Sequence, residues 1–353
     1  MKIVELKIPD HAKFHFGDAA GKLKRIFSSD QLVSAITNNL GLMYGDGAIK
    51  EFIDGLMNDQ IRFSSVFYGL DLILKKENRT AKTIYFLPRP KVDIYPKHST
   101  GYFFHHKAIK KIAFVSSFLY QKLSESWNED GECCQLDLDG LLILNGSLAL
   151  AKEELQDLKL DEKELERLSF FRQNLNPRVE VNRLYMRSEN YFTQEELEMN
   201  HEETKDYRIV PFMYFFQSGP LSPRLQAAIS LLADEGIGGK RSLGKGFFQG
   251  IGIRDAFELP ETGKYYMNLS ICFPHADEVG QLYNYEIEKR SGYIYSMGGK
   301  TVRKKSAMVI GEGSLFRERA TGQIIDVGPK NYAHPVYLYG KPIFAGFGGE
   351  GDV

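Results

Sequence analysis

Most of the residue patterns that mark an exported protein, a membrane protein or a motif-bearing enzyme are missing from this chain. Its 353 residues hold three cysteines, Cys133, Cys134 and Cys272. They form no CxxC pair and no disulfide framework, so neither a zinc ribbon nor a secreted disulfide scaffold is indicated. The adjacent Cys133 and Cys134 read as ordinary thiols. No apolar run approaches the ~20 residues that span a bilayer. The opening Met1-Lys2-Ile3-Val4-Glu5-Leu6 lacks the form of a signal peptide. Together these absences point to a cytoplasmic protein with no membrane partner. No HExxH, zinc spacing or Ser-His-Asp spacing is seen, and the eight histidines are scattered. Neither a metal nor a cofactor is expected. A strong net charge is missing too, with 46 acids against 45 bases.

The balanced total conceals an uneven distribution. Between Lys122 and Arg167 there are thirteen acids and five bases. Gly236 to Arg254 holds four bases and no acid, and so does Met297 to Met308. A local basic track on a neutral protein suits a subunit that holds RNA on one face.

The first of these basic stretches is Gly236-Ile237-Gly238-Gly239-Lys240-Arg241-Ser242-Leu243-Gly244-Lys245-Gly246. It packs five glycines, two lysines and an arginine into eleven residues. Upstream, Ser222-Pro223 followed by apolar residues at 225, 228, 229 and 232 predicts a capped helix. Downstream, Phe247 to Ile253 predicts a strand. The order helix, loop, strand is the reverse of a P-loop or dinucleotide fingerprint, in which phosphate meets a helix N-terminus. No GxxxxGK(S/T) and no GxGxxG is present, which disfavours a nucleotide-binding enzyme. An anion would be held by the loop's own N–H groups and by Lys240, Arg241 and Lys245.

Helix, then G-x-G-G-K-R-S-x-G-x-G, then strand resembles the glycine-rich loop of the RAMP superfamily, the RNA-binding subunits of CRISPR effector complexes. The likeness is nearest to the subunit group that caps the 5′ handle of the guide RNA in type III-A (Csm) complexes. Shorter likenesses run from Phe14 to Pro342. They are Phe14-His15-Phe16-Gly17 and the Ser29-Asp30-x-Leu32 helix start, with Ser29 or Asp30 as the cap; Phe86-Leu87-Pro88-Arg89-Pro90 with Lys110-Lys111-Ile112; and Pro177-Arg178-Val179 leading to Arg183. Glu312-Gly313-Ser314-Leu315-Phe316 and His334-Pro335-Val336 with Tyr339-Gly340 complete the set.

The chain in order predicts strands at 1–9, 61–68, 83–88, 176–185, 209–216 and 264–274, with a helix near Glu153–Leu168. The stretch 121–168 is expected to be a solvent- or protein-facing insertion. Asp137 and Asp139, alternating with leucines, read as the wet face of a strand. Arg178 and Arg183 are five apart and point to opposite faces of a regular strand unless a bulge intervenes. Phe247 and Phe248 are expected in the core. The strand, helix, strands, helix, strand order is ferredoxin-like. An α+β fold of two ferredoxin-like (RRM-like) domains with antiparallel sheets follows, over 1–258 with an inserted segment at about 98–175, and 259–353.

The resemblance implies a non-catalytic subunit that clamps the 5′ handle of the crRNA. It also implies two protein partners, a large polymerase/cyclase-type subunit and a backbone RAMP subunit. The expected RNA-binding residues are Gly238, Gly239, Lys240, Arg241, Ser242, Gly244, Lys245 and Gly246, with His15, Arg178, Arg183, Lys300 and Arg303. The competing reading is a RAMP-type endoribonuclease that processes precursor crRNA, with a histidine such as His15 as general acid or base. More than a hundred residues follow the glycine loop, which counts against it, because that class carries its main loop near the C-terminus.

Overall fold

A computed structural model describes residues 1–17, 23–97, 102–294 and 302–349, with the backbone alone for 102–106. The fold is α+β, with mostly antiparallel sheets and few helices. The Lys2–Lys7 strand, with Ile3, Val4 and Leu6 buried, lies inside the main sheet. It pairs antiparallel with Tyr207–Ser218 on one side and Gly250–Asp255 on the other. Tyr207–Ser218 pairs in turn with Phe67–Leu74, and that strand pairs with Arg79–Pro88. The sheet then continues through Phe114–Ser116 and Leu148–Ala151 to Leu141–Leu144.

The run Ile209 to Phe216 is rich in aromatic and β-branched residues, as a strand covered on both faces should be. Two helices, Ser29–Tyr44 and Pro223–Glu235, pack against each other. Leu32, Ile36 and Leu40 of the first are buried, as are Leu225, Ala228, Ile229 and Leu232 of the second. Each set repeats at helical spacing. Ser222 caps the second helix, its side chain accepting from the N–H of Leu225, with Pro223 in the first turn.

After residue 261 the chain forms small sheets. Tyr265–Asn268 lies between Leu315–Phe316 and Phe344–Phe347. Two ribbons pair Ile287–Arg290 with Ala307–Ile310, and Gln323–Asp326 with Tyr337–Gly340. Among the described residues no α-helix follows Glu235, so this half shows no helix pair of its own. Part of it packs into the main core, while Ile271, Val309 and Leu338, and Cys272, Ile310 and Phe316, form two small clusters of their own. Tyr265, Met267, Leu269, Leu315 and Phe347 belong to the same buried cluster as Val4, Leu32 and Phe215.

Several local expectations are corrected. Ser28, not Ser29 or Asp30, stands at the N-cap of the first helix, and its N–H donates to Gln31 Oε1 at 3.4 Å. Asp30 is buried and forks onto Arg290, with Nη2 to Oδ1 at 2.6 Å and Nε to Oδ2 at 3.2 Å. The helix expected near Glu153–Leu168 is a 3-10 turn at Lys152–Leu155 and a short helix at Glu162–Arg167. The acidic stretch is not wholly solvent-facing: Leu142, Leu144 and Leu148–Ala151 are buried strand residues of the main sheet. Its acids all lie outside those strands, which is why charge counting concealed them. Asp137 caps a 3-10 turn by accepting from the N–H of Asp139 at 3.1 Å, rather than lining a strand.

Candidate nucleic-acid interface

The glycine loop starts where the Pro223–Glu235 helix stops. Gly236 takes φ 72° and its N–H donates to Leu232 O at 2.9 Å. A positive φ of this kind costs glycine nothing and other residues about 1–2 kcal/mol. The neck then closes, with Ile237 N donating to Gly246 O at 3.0 Å. Gly246 has φ 87°, and a Cβ there would sit 2.2 Å from Ile237 O. Two further N–H groups dock the loop on the chain that carries His15. Gly239 N donates to His15 O at 2.9 Å and Gly246 N to Lys13 O at 2.8 Å. Gly236, Gly239 and Gly246 thus shape and seat the loop, and the N–H groups of Gly239 and Gly246 are occupied. What remains outside is an arch from Lys240 to Gly244 in which Lys240, Ser242, Leu243 and Gly244 are exposed.

The loop's three cations take different positions. Lys245 is 5% exposed and ion-paired to Glu196, which is 1% exposed. Lys13 approaches the same carboxylate at 3.3 Å. Burial opposes charge on Glu196, but Lys245, Asn176 and Lys13 together hold its carboxyl below the usual range. Lys245 is therefore a buried fastening and does not present its ammonium to solvent, contrary to the expectation from the sequence. Arg241 reaches back to the helix end, with Nη1 at 3.6 Å from Glu235 Oε2. Lys240 is exposed in the left-handed conformation, φ 62°.

Glu196 belongs to a long hairpin, Phe171–Asn182 with Arg187–Met199, whose base pairs with Ala12–Phe14. The hairpin and the loop enclose a cleft of ≈ 370 Å³ whose lining includes Lys13, Asn176, Arg178, Gly244 and Lys245. Arg178 is thus brought to the glycine loop. Arg183 is not in a strand: Phe171–Asn182 ends before it, and it lies in the exposed turn at the tip. A register shift between Val179 and Glu180 also breaks the regular alternation between the two arginines.

His15 is half-buried against the loop, with Nδ1 2.8 Å from Glu195 O. Its ring fills the space beside Gly239, where an added Cβ would meet Cδ2 at 3.0 Å. Phe248 is buried and packs on Phe14 with ring centroids 5.5 Å apart. Arg303 is exposed beside Tyr293 on the C-terminal half and does not line the cleft. Lys300 lies outside the described residues.

Sequence reasoning missed three features. Lys13 and Glu196 carry no motif and meet only through the hairpin pairing. The hairpin tip exposes Leu184 at 90%, Tyr185 at 70% and Met186 at 86%. Its one signal was an apolar triplet following Arg183 within a polar stretch.

Comparison with known proteins bears on this arrangement. The family model described as the CRISPR Csm4 C-terminal domain matches residues 261–347. A Methanocaldococcus jannaschii protein described as CRISPR system Cms protein Csm4 is 29% identical over 100% of this chain and 99% of its own length. A Streptococcus thermophilus protein of the same description is 31% identical over 35% of this chain and 44% of its own. The solved structure of a Csm3-Csm4 subcomplex from the type III-A CRISPR-Cas interference complex is also similar. It aligns with TM-score 0.64 and 25% identity, covering 98% of this chain and 99% of that one. A Csm1-Csm4 cassette bound to cA4 aligns with TM-score 0.54 and 17% identity over 98% of both chains, which speaks to the fold. Taken together with the glycine loop, these likenesses place the chain nearest in kind to the RAMP subunits of CRISPR effector complexes. More particularly, the chain is similar over nearly its whole length to Csm4 of a type III-A complex, and over 261–347 to the Csm4 C-terminal domain.

Proposed function

We propose that this chain is a non-catalytic RNA-binding subunit of a type III-A interference complex. It clamps the 5′ handle of the crRNA and bridges the large subunit to the backbone RAMP subunits. One observation carries the reading: Leu243 and Gly244, the far end of the exposed arch that starts at Lys240, and Arg178 of the hairpin border one cleft whose interior is fixed by a buried ion pair. Phosphates would meet Lys240, Arg178 and Lys13. Splayed bases would meet the flat groups of the hairpin, where stacking is worth about 1–3 kcal/mol per base. Similar solved structures pair Csm4 with Csm3 and with Csm1, which supports the bridging role.

The strand order around Lys2–Lys7 supports a ferredoxin-like unit spanning residues 1–258, and we place a second, more eroded RAMP unit at 259–353. The endoribonuclease alternative gains nothing from the site. The His15 ring is held by Glu195 O and packed on the loop, and among the described residues no carboxylate is hydrogen-bonded to it. No helix among the described residues is long and apolar enough to cross a membrane.

Affinity purification of the tagged protein from its own host, with sequencing of bound RNA and mass spectrometry of companions, tests the proposal. Small RNAs sharing one 5′ sequence, together with a large subunit and backbone subunits, are expected. A solitary protein without RNA would contradict it. Site-specific, metal-free cleavage of repeat RNA that is lost on His15→Ala would favour the enzyme instead.

A further inference from the structure

A second and larger cleft, ≈ 860 Å³, lies between the Lys24–Ser28 segment, the end of the Arg79–Pro88 strand and the C-terminal half. Stretches far apart in sequence meet there: Lys24 and Arg25, Pro88-Arg89-Pro90, Lys110 with Ile112, and Glu312. Pro88-Arg89-Pro90, Lys110 with Ile112 and Glu312 lie in short motifs noted in the sequence, and the glycine loop uses none of them. Their convergence on one cavity asks for a ligand. The volume lies in the usual range of roughly 300–1,000 Å³ for small-molecule sites.

The chemistry of the walls narrows the choice. Arg25 and Lys110 are exposed, and among the described residues neither has an ion-pair partner. Arg89 is fixed by its own hydrogen bonds, Nη1 to Ile109 O at 2.9 Å and Nη2 to Val92 O at 3.0 Å. Its Nε is sheltered and has no partner among the described residues. Lys24 and Lys91 are already occupied by Glu288 and Glu286.

The acids at the cavity are largely accounted for as well. Glu288 is neutralised by Lys24. Glu132 accepts from Tyr283 Oη at 2.8 Å. Glu312 is buried and accepts from the Ser65 hydroxyl, and burial pushes its carboxyl up. Asp93 stands near Arg89. The remaining surface is flat and weakly polar, with Pro88, Pro90 and the half-exposed ring of Tyr285.

An inorganic anion would leave this apolar wall and the hydrogen-bonding edge unused. An apolar ligand would bury Arg25 and Lys110 without partners, at high cost. An anionic group, a flat ring and a polar edge together describe a nucleotide. We propose that this cleft binds a nucleoside 5′-phosphate unit. Its phosphate lies on Arg25 and Lys110, and its base lies against Pro88, Pro90 and Tyr285 with Asn284 and Glu312 in reach of the base edge.

The unit belongs either to RNA or to a free nucleotide. The chain path links the cleft to the RNA interface, because the segment seating Gly239 through His15 O continues to Lys24, whose N–H donates to Phe16 O at 2.5 Å. The RNA source rests on the function proposed above, whereas the free-nucleotide source does not.

The test compares three full-length proteins: the natural chain, Arg25→Ala with Lys110→Ala, and Lys240→Ala with Arg178→Ala. All four positions are exposed, so unchanged melting is expected. Calorimetry with AMP, GMP, CMP and UMP, and anisotropy with single-stranded guide RNA, are the readouts. The cleft variant should lose about ten-fold or more in affinity for one of these probes, and if that probe is RNA the salt slope should flatten by about two. Loss confined to RNA identifies RNA as the source, and loss confined to mononucleotide identifies the free nucleotide. A cleft variant that binds every probe like the natural chain overturns the inference. If instead the Lys240 and Arg178 variant keeps full RNA affinity while the cleft variant does not, the glycine-loop clamp fails and the cleft stands.

Discussion

Lys240 and Lys245 sit in the same loop, yet only Lys240 offers its charge to solvent. The difference lies at Glu196, a carboxylate 49 positions from Lys245 in sequence that no local pattern connects to the loop. Removing one partner of a buried pair leaves the other uncompensated, which typically costs 3–5 kcal/mol. Lys245→Met is therefore expected to destabilise the protein by about 3 kcal/mol, Lys13 compensating Glu196 in part. Lys240→Ala should change stability by less than about 0.5 kcal/mol. Urea unfolding of both variants decides this. The same carboxylate gives a pH dependence. Glu196 is held below its usual value of 4.5 when folded, so its contribution is complete above that pH and is lost as pH falls through the lower folded value. Melting between pH 7 and 3 should show this loss, and Glu196→Gln should flatten it. Composition showed that the loop was basic. It could not show which cation was occupied, because that depends on a contact between distant segments.

The hairpin is the element that sequence reading recovered least completely. Its first strand was placed at 176–185 and runs from Phe171 to Asn182, and its second strand was not predicted. The reason is compositional. Arg187 to Thr193 is mostly polar and exposed, and a two-stranded arm wet on both faces over that length lacks the alternation that marks a strand over a core. The loop helix was legible for the opposite reason, since its cap, first-turn proline and buried face all agree. At the hairpin's tip Tyr185 is 70% exposed beside Arg183 in the same turn, so its ring is free to stack. Tyr185→Ala should leave the melting temperature unchanged. It should weaken binding of guide RNA by about 1–3 kcal/mol, the worth of one stacked base. Anisotropy titration checks it, and unchanged affinity would confine the RNA to the base of the hairpin.

Across the whole molecule, the two halves are tied by buried polar contacts as well as by apolar packing. Asp30 holds Arg290 across 260 positions. Ser29 Oγ accepts from Ile271 N at 3.2 Å, and Ser65 Oγ donates to Glu312. Asp30 was read as a cap because a serine-aspartate start is a helix signal. That signal was real, but Ser28 supplied it, which left Asp30 for a contact that sequence spacing cannot report. Asp30→Asn should destabilise the protein by about 3–5 kcal/mol and speed proteolysis within residues 261–347, followed by limited digestion and mass spectrometry.

The α+β class was legible because the alternation at 1–9 and the apolar run at 209–216 were strong. The absence of α-helix after Glu235 among the described residues was not, since those short strands lean on a core built by the first half. The central claim concerns the cleft where the loop and the hairpin meet. It is tested most directly by anisotropy titration of guide RNA, over a range of salt, with the natural protein and with Lys240→Ala, Arg178→Ala. The account predicts an affinity at least ten-fold weaker and a salt slope flattened by about two, with melting unchanged. Equal affinity and equal slope in both proteins would contradict it.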